Sequence, residues 1–183
     1  LQSVFRLIDA VDEVRIAVRA DGRIVRAAGA PGVAVDDDLA VRAAHALKKA
    51  TGTALGADIE VIKRLPLGGG LGGGSSDAAT VLLALNHLWE TRLTREQLQA
   101  LGLTLGADVP FFVFGESALA EGIGEILVPI ALPSAWYVVL VPEVAVATAA
   151  VFRHPELKRD SKPIKMQRFS ASRPSFASND LEP

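Results

Sequence analysis

Apolar and charged positions interleave early in the chain. Val14, Ile16 and Val18 alternate with Arg15, Ala17 and Arg19, a period of two that predicts a half-buried strand. Asp21-Gly22 is a hairpin-type turn, with Ile24 and Val25 as a return strand. Over residues 39–50 the apolar period lengthens to that of a helix, and Thr51-Gly52 supplies its stop. Residues 59–63 read as a strand. Beyond a glycine run, Val81, Leu85, Leu88 and Trp89 share one face of a helix over 78–89. Thr94-Arg95-Glu96-Gln97 has the form of a capping box opening a helix through Leu101. Residues 105–114 are apolar except for Asp108. Residues 118–120 and 125–128 predict two strands joined by Gly122-Ile123-Gly124, and 136–141 predict a buried strand. Thr148 caps a short helix ending near Pro155. Residues 158–178, rich in Lys, Arg, Ser and Pro, read as a linker or mobile loop. Strands and helices mix without strict βαβ repetition, so the expected class is α+β.

Composition narrows the possibilities. The chain has 183 residues, half of them hydrophobic, enough for one buried domain and the start of another. Nineteen basic and twenty-one acidic residues leave a net charge of −2, which does not point to nucleic acid. No apolar run is long enough to span a membrane, and the first residues show neither a charged leader nor an apolar signal core. Without cysteine there is no disulfide, thiolate metal site or thiol nucleophile. A cytoplasmic protein is expected. His45, His87 and His154 lack metal-ligand spacing, and no resident metal site is assigned.

The sharpest local signal is Leu67-Gly68-Gly69-Gly70-Leu71-Gly72-Gly73-Gly74-Ser75-Ser76-Asp77. Six of its first eight residues lack a Cβ, so the backbone can turn tightly and approach a ligand. Ser75, Ser76 and Asp77 are helix-capping types, and a helix pattern follows. A glycine loop feeding a helix start offers unpaired N–H groups and the positive end of a dipole, which suits a phosphate. No lysine follows the glycines, which disfavours a Walker A loop, and no second strand follows the helix, which disfavours a Rossmann fingerprint.

With its flanks Lys63-Arg64-Leu65-Pro66 and Leu85-Asn86-His87-Leu88-Trp89, the run resembles the second motif of the GHMP small-molecule kinases. Collinear matches are Leu1-Gln2-Ser3-Val4-Phe5, residues 105–112, residues 120–125, Thr148-Ala149-Ala150-Val151-Phe152 and Ser178-Asn179-Asp180-Leu181-Glu182. The resemblance spans essentially the whole chain. It implies a ribosomal-protein-S5-domain-2-like α/β sandwich over 1–130 carrying the ATP and catalytic motifs. Residues 131–183 would begin a ferredoxin-like C-terminal domain. The branch most resembled phosphorylates the 2-hydroxyl of 4-diphosphocytidyl-2-C-methyl-D-erythritol, a cytidine diphosphate derivative, in the non-mevalonate route to isoprenoid precursors. ATP and Mg²⁺ are the implied cofactors, and a monomer or homodimer without nucleic-acid or membrane partners is expected. Relatives carry an upstream Gly-Tyr-His segment with a lysine acting in phosphoryl transfer, and a further glycine-rich loop downstream. The sequence therefore reads as a kinase truncated at both ends. Alternatives are a homoserine- or mevalonate-type GHMP kinase, a catalytically silent nucleotide-binding module and, last, a Rossmann oxidoreductase.

Asp108, set among small and apolar residues, is expected to be a buried acid that can accept a proton from an attacking hydroxyl. From spacing alone it can equally cap a helix beginning at Val109; the resemblance implies the catalytic role. The implied ATP-binding set is Lys63, Pro66, Gly68, Gly69, Gly70, Leu71, Gly72, Gly73, Gly74, Ser75 and Ser76. Ser75 and Ser76 add hydroxyls or Mg²⁺-side contacts. Lys63 meets the nucleotide from the strand end or is an exposed strand lysine. Asp77 is expected to cap the helix. Phe5 and Phe152 match positions whose rings flank cytosine, although each alone reads as core, and Thr148 bonds the same ligand or caps its helix. Asp38 stands where the family commonly has asparagine near the adenine, so amide donors are missing there.

Overall fold

The computed structural model describes residues 2–141, 148–158 and 161. By backbone contacts the chain divides after Ile130 into two compact units. The first holds, among its described residues, two three-stranded sheets, four α-helices and a short 3-10 turn over Val35–Asp37.

One sheet has the order β2 (Glu13–Arg19), β4 (Gly56–Ile62), β3 (Ile24–Ala28). The predicted strands are present, but β2 and β3 are not a paired hairpin. β4 lies between them, antiparallel to β2 and parallel to β3. The turn at Asp21-Gly22 is made, with Gly22 at φ +74°, yet the edge it presents is taken by β4, whose Ala57 N–H donates to Arg23 O (3.0 Å). Gly56 makes this approach possible, since a Cβ there would stand 2.1 Å from Arg23 O. Side chains on β2 and β4 alternate as a sheet requires. Val14, Ile16, Ile59 and Val61 belong to the core, while Arg15 and Arg19 pair with Glu60 and Asp58 at 3.4 and 2.8 Å.

Two helices cover the apolar face. Helix α1 (Leu39–Thr51) is capped at its start by Asp38, whose side chain accepts from Ala40 N–H, and ends at Gly52 in the left-handed region (φ +67°). Helix α2 (Gly73–Leu88) packs against α1. Ala43, Ala44, Leu47, Ile59, Val81, Leu82 and Leu85 form the centre of the core. Val81, Leu85 and Trp89 are buried as their spacing predicts, and the Trp89 indole N–H donates to Gly56 O (3.1 Å). Leu88 departs from that face and is 42% exposed, because the helix ends there and the chain turns away.

Helix α3 (Arg95–Leu103) begins with the predicted capping box, in which Thr94 accepts from Gln97 N–H while the Gln97 side chain accepts from Thr94 N–H. Thr94→Ala is expected to lower stability by about 1 kcal/mol, checked by urea unfolding; an unchanged midpoint would mean the cap contributes nothing. Helix α4 (Val109–Phe114) packs on α2 and α3. The second sheet has the order β1 (Gln2–Phe5), β5 (Ala118–Glu121), β6 (Ile126–Pro129), all antiparallel. The β5–β6 hairpin appears as predicted.

In the second unit, residues 131–141 form neither helix nor strand, and Trp136, Val138 and Leu140 are exposed. The expected buried strand over 136–141 is therefore not made. An apolar extended segment becomes a strand only where a neighbour accepts its backbone groups, and the described residues provide none there. Helix α5 (Thr148–Arg153) follows the predicted span. Of the expected linker over 158–178, all but residues 158 and 161 lies outside the described residues.

Candidate functional site

The glycine run occupies the turn between β4 and α2. Gly72 is the N-cap of α2 at φ +68°, with Gly73 and Gly74 already inside the helix, and a Cβ on it would meet the Phe112 ring at 2.8 Å. Both the backbone angle and the ring therefore demand glycine. The helix starts two residues before the serines, and its first i→i−4 bond runs from Ser76 N–H to Gly72 O (2.8 Å). The N–H groups of Gly73, Gly74 and Ser75 precede that bond, at the positive end of a sixteen-residue helix. Gly68 and Gly70, also at positive φ, have open space where a Cβ would point.

Because Gly72 caps the helix, Asp77 is not the cap that its residue type suggests. It lies inside α2, buried, with its carboxylate 2.9 Å from Lys63 Nζ. Lys63 also donates to Asp12 Oδ2. This lysine is thus neither exposed nor free-standing: the Asp12, Lys63 and Asp77 side chains are 2%, 9% and 8% exposed. Burial works against the Lys63 ammonium, but its bonds to Asp12 and Asp77 outweigh this and raise its pKa. Burial likewise pushes the Asp77 carboxyl up, only partly opposed by Lys63. For Asp12 burial is overcome by donors from Leu65, Lys63 and Arg64, which hold the carboxyl below its ordinary range. Asp12 was not visible as a site residue in the sequence. Its partners lie more than fifty positions away, and no local pattern links them.

A cavity of about 510 Å³ opens beside the loop. Of the residues singled out in the sequence it gathers Phe5, Gly70, Leu71, Gly72, Ser76 and Asp108, and it adds Arg6, Leu65 and Thr80. Thr80 follows Ser76 by one helical turn, a spacing that could have marked it. Lys63, Pro66, Gly68, Gly69, Gly73, Gly74 and Ser75 stand outside the lining. Ser75 still faces the Asp108 segment, its Oγ being 3.9 Å from where a Cβ on Gly106 would stand. Phe5 meets Phe111 edge to face at 5.1 Å, and Phe111 meets Phe112 at 5.3 Å. These rings join β1, α4 and the Gly72 corner into one wall.

Asp108 holds the N-cap position of α4 but makes no capping bond, and its backbone is helical (φ −87°, ψ −16°). It is exposed toward the cavity rather than buried, as its apolar flanks had suggested. The apolar neighbours Val109 and Pro110 turn into the core and leave the carboxylate outside. Asp38, by contrast, is fully engaged: beyond capping α1 it pairs with Arg26 Nε at 2.9 Å. Thr148 and Phe152 stand on α5 in the second unit; Phe152 is half exposed, and the Thr148 side chain lies outside the described residues.

A helix start with unpaired N–H groups and a carboxylate open to the same cavity can hold a phosphate and receive a proton from a nearby hydroxyl. Comparison with known proteins agrees with such chemistry. Residues 38–116 match the GHMP kinases N-terminal domain. The chain is 60% identical over 183 residues to a 4-diphosphocytidyl-2-C-methyl-D-erythritol kinase of Thiobacillus denitrificans, covering all of this chain and 65% of that protein. A protein of the same name from Herminiimonas arsenicoxydans is 56% identical over 185 residues, with the same coverage. The chain thus spans about 65% of the length of these relatives. A crystal structure of 4-(cytidine 5'-diphospho)-2C-methyl-D-erythritol kinase superimposes with a TM-score of 0.66 at 40% identity, over 80% of this chain and 51% of that one. A homoserine kinase from Cytophaga hutchinsonii shares the fold at a TM-score of 0.63 and 19% identity, over 85% and 53%.

Proposed function

We propose that the chain is a kinase of the GHMP family, whose N-terminal domain residues 38–116 match, and that it moves the γ-phosphoryl group of ATP to the 2-hydroxyl of 4-diphosphocytidyl-2-C-methyl-D-erythritol. The observation carrying this reading is the shared cavity, lined by the Gly70–Gly72 corner and Ser76 on one side and by Asp108 on the other. ATP phosphates lie along Gly68 to Ser76, received by backbone N–H groups and the serine hydroxyls. Pro66 and Lys63 support this cradle from its stem. The acceptor hydroxyl attacks the γ-phosphorus in line, the bond to the β-phosphate oxygen breaks, ADP leaves, and Asp108 takes the hydroxyl proton. Such transfer relies on positioning and electrostatics, so few reactive side chains are required.

Mg²⁺ would accompany ATP as part of the substrate. The described residues contain no cluster of three or more His, Cys, Asp or Glu suited to a metal; Ser75 and Ser76, in the first turn of α2, supply hydroxyl oxygens of the kind a hard cation takes. It would neutralise phosphate charge. On the acceptor side, Phe5 stacks on the cytosine, worth about 1–3 kcal/mol per aromatic–base contact; Phe152 and Thr148, on α5 of the second unit, are assigned to the acceptor by the family resemblance alone. Residues 1–130 serve as the N-terminal kinase domain and 131–183 as the start of the C-terminal one. The protein works in the cytoplasm as a monomer or homodimer, without nucleic-acid or membrane partners; no helix among the described residues is long and apolar enough to cross a membrane.

A coupled ADP-release assay tests this across acceptors. Turnover is expected with 4-diphosphocytidyl-2-C-methyl-D-erythritol and not with homoserine or mevalonate. Activity confined to homoserine or mevalonate would refute the substrate, and ATP binding without turnover on any acceptor would favour a silent nucleotide-binding module.

A further inference from the structure

We propose that Asp12 is a positioning residue for nucleotide binding: its buried carboxylate fixes where the glycine loop leaves β4. The proposal rests on the reading of Gly68 to Ser76 as the ATP cradle. Asp12 lies just before β2. Its Oδ1 accepts from both Arg64 N–H (2.6 Å) and Leu65 N–H (2.8 Å), the two residues that begin the climb into the loop. Its Oδ2 accepts from Lys63, which reaches across to Asp77 inside α2 (2.9 Å). One carboxylate therefore ties together β2, the exit of β4 and the first turns of α2. Gly73 confirms how close this clamp sits to the helix start, since a Cβ there would lie 3.2 Å from both Asp12 Oδ2 and Lys63 Nζ. Val11 and Leu65, next to the clamped groups, line the cavity, so a shift of the clamp moves the wall and the loop together. The loop tip has no such restraint: Leu67 is exposed, and open space surrounds the missing Cβ positions of Gly68 and Gly70. Accuracy at the tip must come from the stem. Asp12 touches no reacting atom.

The test measures ATP affinity by calorimetry, and separate KM values for ATP and acceptor, in wild type, Asp12→Asn and Asp12→Glu. Asp12→Asn places an amide where Lys63 expects a carboxylate. Asp12→Glu keeps the charge opposite Lys63, and with it the fold, but displaces the carboxylate by one methylene. ATP affinity is expected to fall on the order of 10-fold or more in either variant, with ATP KM rising in step, because small displacements of a binding group are costly. The acceptor KM should stay within about 2-fold; a purely structural role would lower the thermal midpoint without this split. Glu60→Gln, on the outer face of β4 opposite Arg15, serves as the control and should leave ATP affinity unchanged. Wild-type ATP affinity in whichever Asp12 variant folds would overturn the proposal. Failure of the unmutated protein to bind ATP would instead overturn the reading of the loop. The clamp itself is then decided by amide exchange of Arg64 and Leu65: slow exchange supports it and fast exchange refutes it.

Discussion

Asp108→Ala is expected to lower kcat by on the order of 10²–10⁴ while ATP affinity stays close to wild type. The two readouts separate because Asp108 and the glycine loop sit on different elements that line one cavity. The fold should hardly notice: the carboxylate is exposed and makes no cap bond, so removing it strips no buried partner. Asp108→Asn keeps the shape but cannot take up the proton, and should be nearly as slow. The pair is checked by steady-state kinetics alongside thermal unfolding. Near wild-type turnover in either variant would remove Asp108 from the reaction.

Lys63→Met has the largest expected effect on stability. It leaves the Asp12 and Asp77 carboxylates buried together without their cation. Removing one partner of a buried ion pair costs about 3–5 kcal/mol, well above the usual effect of a single substitution. The pH dependence has a definite sign. The raised Lys63 pKa means its contribution is complete below the ordinary value of 10.5 and is lost as pH rises through the folded value. Asp12, held low, contributes above the ordinary 3.8 and loses that contribution as pH falls through its folded value. Asp77, pushed up by burial, works the other way and subtracts stability as pH rises above 3.8. In Lys63→Met both acids lose the cation that favours their charged forms and move up, so protonating them relieves the strain. Urea midpoints should show the penalty shrinking as pH falls from about 8 toward about 5, within the reach of shifted carboxylates. A penalty constant over that range would show that charge has no part in the clamp.

Local chemistry was the legible part of the fold. The Thr94–Gln97 box, the Gly52 stop and the Gly122–Gly124 turn all act within a few residues, and each appears where its spacing places it. The glycine corner was legible for the same reason. Partner choice was not. The Asp21-Gly22 turn carries no signal that β4 will enter beside β3. Asp77 looked like a cap because its residue type caps helices, whereas the left-handed Gly72 starts the helix earlier and carries Asp77 into the interior. Asp108 looked buried because its neighbours are apolar, yet Val109 and Pro110 fill the core and leave the acid outside. Asp12 gave no hint at all, since its meaning arises only when residues 63–65 fold back onto it.

The place of β4 in its sheet also dictates an order of assembly. β2 and β3 leave the ribosome before β4, joined by a tight turn and running in opposite directions, but they make no ladder with each other in the finished molecule. Every rung of that sheet, from Ala28 with Glu60 to Glu13 with Ile62, waits for a strand synthesised only after α1. Such distant pairing demands costly loop closure before it is rewarded. Until the third strand arrives neither early strand has its ladder partner, and the glycine loop, hanging from that third strand, is anchored only with it.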